Sequence, residues 1–117
     1  MLYVVGNLKM NMLSHEEAEQ YITVLKREIK AREYHFVKSI LCPPFLYLRE
    51  FSRLPQGVEC GAQDVFWEKS GAYTGEVSPL MLKNAGATSV IIGHSERRML
   101  QGETNEEVKK KLTAALK

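Results

Sequence analysis

Of the 117 residues, 44% are hydrophobic and 26% are charged, the balance of a single soluble globular domain rather than a disordered chain. Sixteen Lys and Arg stand against fourteen Asp and Glu, and the net charge of +2 divides evenly, with eight basic and seven acidic side chains in residues 1–60 and the same in residues 61–117. With no basic lobe and no run of membrane-spanning length, neither nucleic acid nor a membrane is expected as a partner.

An apolar run at residues 2–5 predicts a first strand. The segment Gly6-Asn-Leu-Lys-Met-Asn11 follows, and alternating side-chain direction would point Asn7 and Lys9 the same way. An amide and an ammonium converging at a strand's carboxyl edge can hold an oxyanion-bearing substrate, although the same pair also suits a solvated turn. Ser14-His-Glu-Glu17 has the form of a capping box, and the helix it opens carries Ala18, Tyr21, Ile22, Leu25 and Ile29 at helical spacing. His15 and His35 lie near helix ends without partners at metal-ligand spacing, so both read as structural or surface residues, and no metal is expected.

A second strand is predicted over residues 37–42, after which Pro43-Pro44 opens a shorter helix with Phe45, Leu48 and Phe51 on one side. A third follows over 58–62. Its long connection to residue 78 carries Phe66, Trp67 and Tyr73, and an exposed loop of that composition suits insertion into a partner. Ser78-Pro79 supplies a cap and a proline at the first helical position, Met81 and Leu82 read as core, and Gly86 ends the helix. Cys42 and Cys60 fall in apolar runs and read as reduced, buried thiols. Without a basic leader ahead of an apolar segment, a cytoplasmic protein is expected.

The fourth strand, residues 89–92, ends at Gly93, and His94 follows at once. Ser95 is placed to cap a helix with Glu96 in its first turn. His94 therefore stands at the carboxyl edge of a parallel strand, where ligands bind in α/β proteins. The positive end of the helix dipole disfavours a second positive charge, so a neutral imidazole could donate a hydrogen bond to a substrate oxygen. The plainer alternative is a histidine that merely caps its own turn. Glu96 could pair with Lys9 across neighbouring loops or serve only as a helix N-terminal carboxylate; Arg97 and Arg98 could brace loops. Thr104-Asn-Glu-Glu107 is a second capping box leading into Val108, Leu112 and Ala115, and Lys109-Lys-Lys111 reads as a solvated helix face.

Four strand signals alternating with helix signals imply a parallel sheet with right-handed crossovers. An open doubly wound sheet of four strands would leave two unprotected edges. A (β/α)8 barrel needs roughly 250 residues. The expected fold is therefore α/β, the first four βα units of a TIM barrel, with residues 1–117 forming the N-terminal half of one domain.

Taken together, Gly6-Asn-Leu-Lys-Met-Asn11, Cys42-Pro-Pro44, Gly61-Ala-Gln63, Gly71-Ala-Tyr-Thr-Gly-Glu76, Ile92-Gly-His-Ser-Glu-Arg-Arg98 and Gly102-Glu-Thr104 closely resemble the triosephosphate isomerase family, in order and spacing along the whole chain. Leu8 stands where the family usually has an aromatic residue, and Asp64 where it more often has Asn. The resemblance implies a homodimeric barrel of glycolysis and gluconeogenesis that interconverts dihydroxyacetone phosphate and glyceraldehyde 3-phosphate through an enediolate, without cofactor. It implies that His94 is the electrophile and proton shuttle, that Lys9 stabilises enediolate and phosphate, that Asn7 binds substrate, and that Glu96 associates with Lys9. Tyr73, Thr74, Gly75 and Glu76 would reach into the neighbouring subunit. The glutamate base, mobile lid and glycine-rich phosphate turns of the family would all lie beyond residue 117. The expectation is thus a chain that turns over only with a complementary C-terminal half-barrel, the competing reading being a non-catalytic assembly module.

Overall fold

A computed structural model describes residues 1–29 and 36–117; His35 lies outside the described residues. Strand β1 (Leu2–Asn7) leads to helix α1 (His15–Ile29), and β2 (Val37–Cys42) to a 3-10 turn (Phe45–Tyr47) continued as α2 (Leu48–Phe51). Strand β3 (Val58–Ala62) is followed by α3 (Pro79–Asn84), and β4 (Ser89–Val90) by α4 (Ser95–Leu100) and α5 (Asn105–Ala115). All pairings are parallel and the strand order is β1-β2-β3-β4. A doubly wound sheet reverses its strand order somewhere, which sends its helices to both faces. Here the order never reverses, so right-handed crossovers keep the helices on one side. The architecture is four parallel strands of a half-barrel.

The core lies between that helical layer and the sheet. Ala18 and Ile22 of α1 meet Tyr47, Leu48 and Phe51, and beneath them Cys60, Ala62, Val65 and Leu82 close the cluster. Tyr47 occupies the place expected of Phe45, which is more than one-third exposed. Met81, expected in the core, is half exposed because Leu82 is the α3 residue that turns inward. Burial pushes the Cys42 thiol up to about 11 and that of Cys60 to about 12, so both stay protonated and unreactive.

The local signals act as sequence chemistry demands. Ser78 Oγ accepts from Met81 N at 3.2 Å, with Pro79 at the first helical position. Thr104 and Glu107 form a reciprocal capping box. At α1 the box is displaced by one residue: Ser14 Oγ accepts from Glu17 N, while the Glu17 carboxylate reaches past it to Leu13 N. Gly86 ends α3 with φ +100°, and a Cβ there would lie 2.3 Å from Ser52 Cβ. Gly86→Ala should therefore combine left-handed strain with a clash and lower stability by more than about 1 kcal/mol, read from urea denaturation.

Strand β1 runs two residues beyond the expected Val5 because β2 continues to Cys42, which pairs with Asn7. It is also the least covered strand: Leu2, Tyr3, Val4 and Val5 are each more than half exposed. Strand β4 is shorter than the expected 89–92, although Ile91 N still donates to Ala62 O at 2.9 Å.

Candidate active site

The site gathers at the carboxyl ends of β1 and β4. In a flat sheet these strands would stand about 14 Å apart, three strand spacings. Yet Lys9, in the loop after β1, donates from Nζ to Glu96 Oε1 at 2.7 Å, and Glu96 sits in the first turn of α4. The sheet must curl to bring these loops together. This curvature turns two strand ends remote in sequence into one site.

Asn7 and Lys9 converge, but not by strand alternation. Asn7 is the last residue of β1, and its Oδ1 accepts from Lys9 N at 2.9 Å. That turn throws Lys9 into the left-handed region at φ +55°, which a lysine rarely adopts. Asn11 Nδ2 donates to Leu8 O at 2.9 Å from the other side. Such strain persists only where surrounding contacts over-determine the backbone.

The expected cap of α4 is displaced by one residue. His94, not Ser95, is the N-cap: Gly93 turns at φ +72° and delivers His94 in an extended conformation (φ −58°, ψ 140°). Its Nδ1 accepts from Glu96 N at 3.1 Å. A ring nitrogen that accepts carries no hydrogen, so the proton of the neutral imidazole sits on Nε2. The histidine thus caps its own helix, and in doing so selects the tautomer whose Nε2–H has no hydrogen-bond partner among the described residues. The hydrogen bond from Lys9 holds the Glu96 carboxyl below the usual carboxylate range, against the upward push of burial.

A depression of roughly 380 Å3 runs through this cluster, lined by Asn7, Lys9, Gln63, His94 and Glu96, with Phe45 and Leu100 on its apolar side. Residues 71–76 lie elsewhere and are exposed throughout, Tyr73, Thr74, Gly75 and Glu76 included. The aromatics upstream of that tip pack on their own chain: Phe66 lies 4.1 Å from Trp67 and 4.8 Å from Tyr73 between ring centroids, and Lys110 Nζ stands 5.2 Å above the indole. Among the described residues, no three His, Cys, Asp or Glu side chains are grouped as metal ligands would be. Nor is any described helix long and apolar enough to cross a membrane.

Beneath the site lies a charge cluster that the sequence pattern concealed. Lys111, expected on a solvated face, is 4% exposed. Its Nζ donates to Asp64 Oδ1 at 2.6 Å and to Glu103 Oε1. Arg97 Nε completes the cluster, 3.0 Å from Asp64 Oδ2 and 3.2 Å from Glu103 Oε1. Two cations meet two carboxylates, so the buried charges of Lys111, Asp64 and Glu103 are paired, with the partly exposed Arg97 closing the cluster. Burial pushes the Glu103 carboxyl up, but hydrogen bonds from Lys111 and Arg97 outweigh it and hold it below the usual range. Arg98 is also a brace, donating from its Nη1 to Asn105 Oδ1 at 2.8 Å.

The family model described as "Triosephosphate isomerase" matches residues 2–117. Triosephosphate isomerase of Thermoanaerobacter sp. (strain X514) is 46% identical over 115 residues, which is 97% of this chain and 45% of that protein. The enzyme of Natranaerobius thermophilus is 42% identical over 115 residues, 97% of this chain and 44% of that protein, and that of Moorella thermoacetica 44% over 114 residues, 96% of this chain and 44% of the relative. The chain therefore spans a little under half the length of the curated relatives it matches. With the half-barrel, its strand-end cluster and these matches in agreement along nearly all its length, the chain belongs to the triosephosphate isomerase family.

Proposed function

We propose that this chain supplies the electrophilic half of a site interconverting dihydroxyacetone phosphate and glyceraldehyde 3-phosphate. The observation that carries the reading is the His94 tautomer: with Nδ1 tied to Glu96 N at 3.1 Å, Nε2–H is the group left to meet a substrate oxygen. When a base takes the proton from C1 of the ketose, the C–H electron pair forms the C1–C2 double bond and the carbonyl pair moves onto the C2 oxygen. His94 donates to that developing oxyanion, then passes a proton between the two oxygens. Lys9 offsets the negative charge of enediolate and phosphate, with Glu96 as its ion-pair partner at the mouth, and Asn7 contacts the substrate. No metal or organic cofactor enters this scheme.

The base is not among these 117 residues in this reading, and the rest of a barrel supplies it. The exposed apolar side chains of β1, Leu2 to Val5, favour a complementary half-barrel as partner. Residues 73–76 of a second copy would enter the depression beside Lys9, whose apolar flank of Phe45 and Leu100 suits a loop carrying Tyr73 and Thr74. Two buried, protonated thiols fit a cytoplasmic setting. The test is to mix the chain with the separately produced C-terminal half of a related enzyme and follow isomerisation by coupled oxidation. Turnover is expected from the mixture and from neither part alone. An assembled but inert mixture would instead favour a non-catalytic assembly module.

A further inference from the structure

Lys9 presents a positional problem. Its backbone is left-handed at φ +55°, Met12 follows at φ +71°, and among the described residues its side chain is tethered only to Glu96, through a pair exposed at both ends. An exposed ion pair is too weak and too easily screened to set a lysine's place. Something must fix the backbone from outside the loop.

Gln63 does this. Its Nε2 donates to Lys9 O at 2.8 Å and to Cys42 O at 2.8 Å. Both partners are carbonyls, so the atom must be the amide nitrogen, and its two N–H groups are both used. One bond anchors the strained loop after β1, the other the end of β2. Gln63 is itself immobilised, because Asp64 is clamped between Lys111 and Arg97 in the buried cluster. Arg97, in turn, follows Glu96 in α4. The dipeptide Gln63–Asp64 therefore fixes both ends of the Lys9–Glu96 pair: the lysine by an amide, the glutamate by a guanidinium.

We infer that Gln63 is the positioning residue for Lys9, setting where its ammonium stands relative to His94 by pinning the left-handed backbone through the Lys9 carbonyl. The functional meaning of this rests on the isomerase reading above, but the placement can be tested apart from it. Gln63→Glu is nearly isosteric and sets a carboxylate against two carbonyls; Gln63→Met keeps the bulk and removes both donors. The 15N-labelled full chain would be followed through its amide resonances, and each lysine through its rate of acylation by an amine-reactive ester, read by mass spectrometry.

In either variant the Leu8, Lys9 and Met10 amides should shift, and Lys9 acylation should rise about fivefold, equivalent to about 1 kcal/mol, while Lys111 stays protected. On lowering the pH from 7 to about 5, the Gln63→Glu amides should return toward wild type as the introduced carboxyl regains a proton to donate, and those of Gln63→Met should not. If Gln63→Glu fails to fold, Gln63→Met decides. Unchanged Lys9 signals and reactivity, or Lys111 exposed along with Lys9, would overturn the inference. Mixed halves that remain inert while Lys9 still responds to Gln63 would overturn the isomerase reading and leave the positioning intact.

Discussion

Lys111→Ala should lower the stability of the chain by about 3–5 kcal/mol, because it removes the cation that neutralises two buried carboxylates and leaves Arg97 alone to face both. For a domain whose total stability is of the order of 5–15 kcal/mol, that loss is close to unfolding. Lys110→Ala, one residue away on the exposed face, gives up only the contact over Trp67 and should cost less than about 1 kcal/mol. Urea denaturation of both variants checks the contrast. The same cluster sets an acid dependence. The folded Glu103 carboxyl is held below its ordinary value, so its contribution is complete above the unfolded carboxylate range and is lost as pH falls through the folded value. Without Lys111 the upward push of burial prevails, and the variant should lose much of the stability that the native chain gains between acid and neutral pH. A native-like acid profile in Lys111→Ala would show that Arg97 alone carries the pairing.

That cluster also marks where the sequence was legible and where it was not. The four strands and the capped helices are local matters: β-branched runs, Ser78 before Pro79 and the Thr104–Glu107 box each act within a few residues, and each stands near its expected place. The strand ends shifted where a neighbour decided them, as Asn7 was drawn into β1 by Cys42. Lys111 was hidden because its partners lie 47 and 8 residues away, and a triple-lysine run normally faces water. One signal was available: Lys111 stands three residues after Val108, on the inward side of α5, while Leu112 is half exposed. The residue types of the candidate site were legible at Asn7, Lys9, His94 and Glu96. The Lys9–Glu96 pair and a histidine capping its own turn were among the readings the sequence offered, but the sheet curvature and the left-handed Lys9 that bring these groups into one site are not encoded by spacing.

In the mixed-halves assay, His94→Gln should lower turnover by about 10²–10⁴-fold, the range a positioned proton-transfer group contributes. The glutamine amide can accept from Glu96 N or donate toward the substrate, but it cannot pass a proton between two oxygens. Its length is close to that of the histidine, so the cap survives in part and a structural explanation can be separated by urea denaturation. Binding of the substrate phosphate should change little, since the proposed scheme gives His94 the carbonyl and Lys9 the charge. The loss is therefore expected in kcat rather than KM. Lys9→Met provides the counter-pattern: with no ammonium for either enediolate or phosphate, both constants should worsen, and the Glu96 carboxyl should return toward the usual carboxylate range now that its first stabilising partner is gone. A His94→Gln mixture that retains native kcat would remove the histidine from the chemistry and leave it as the cap of α4.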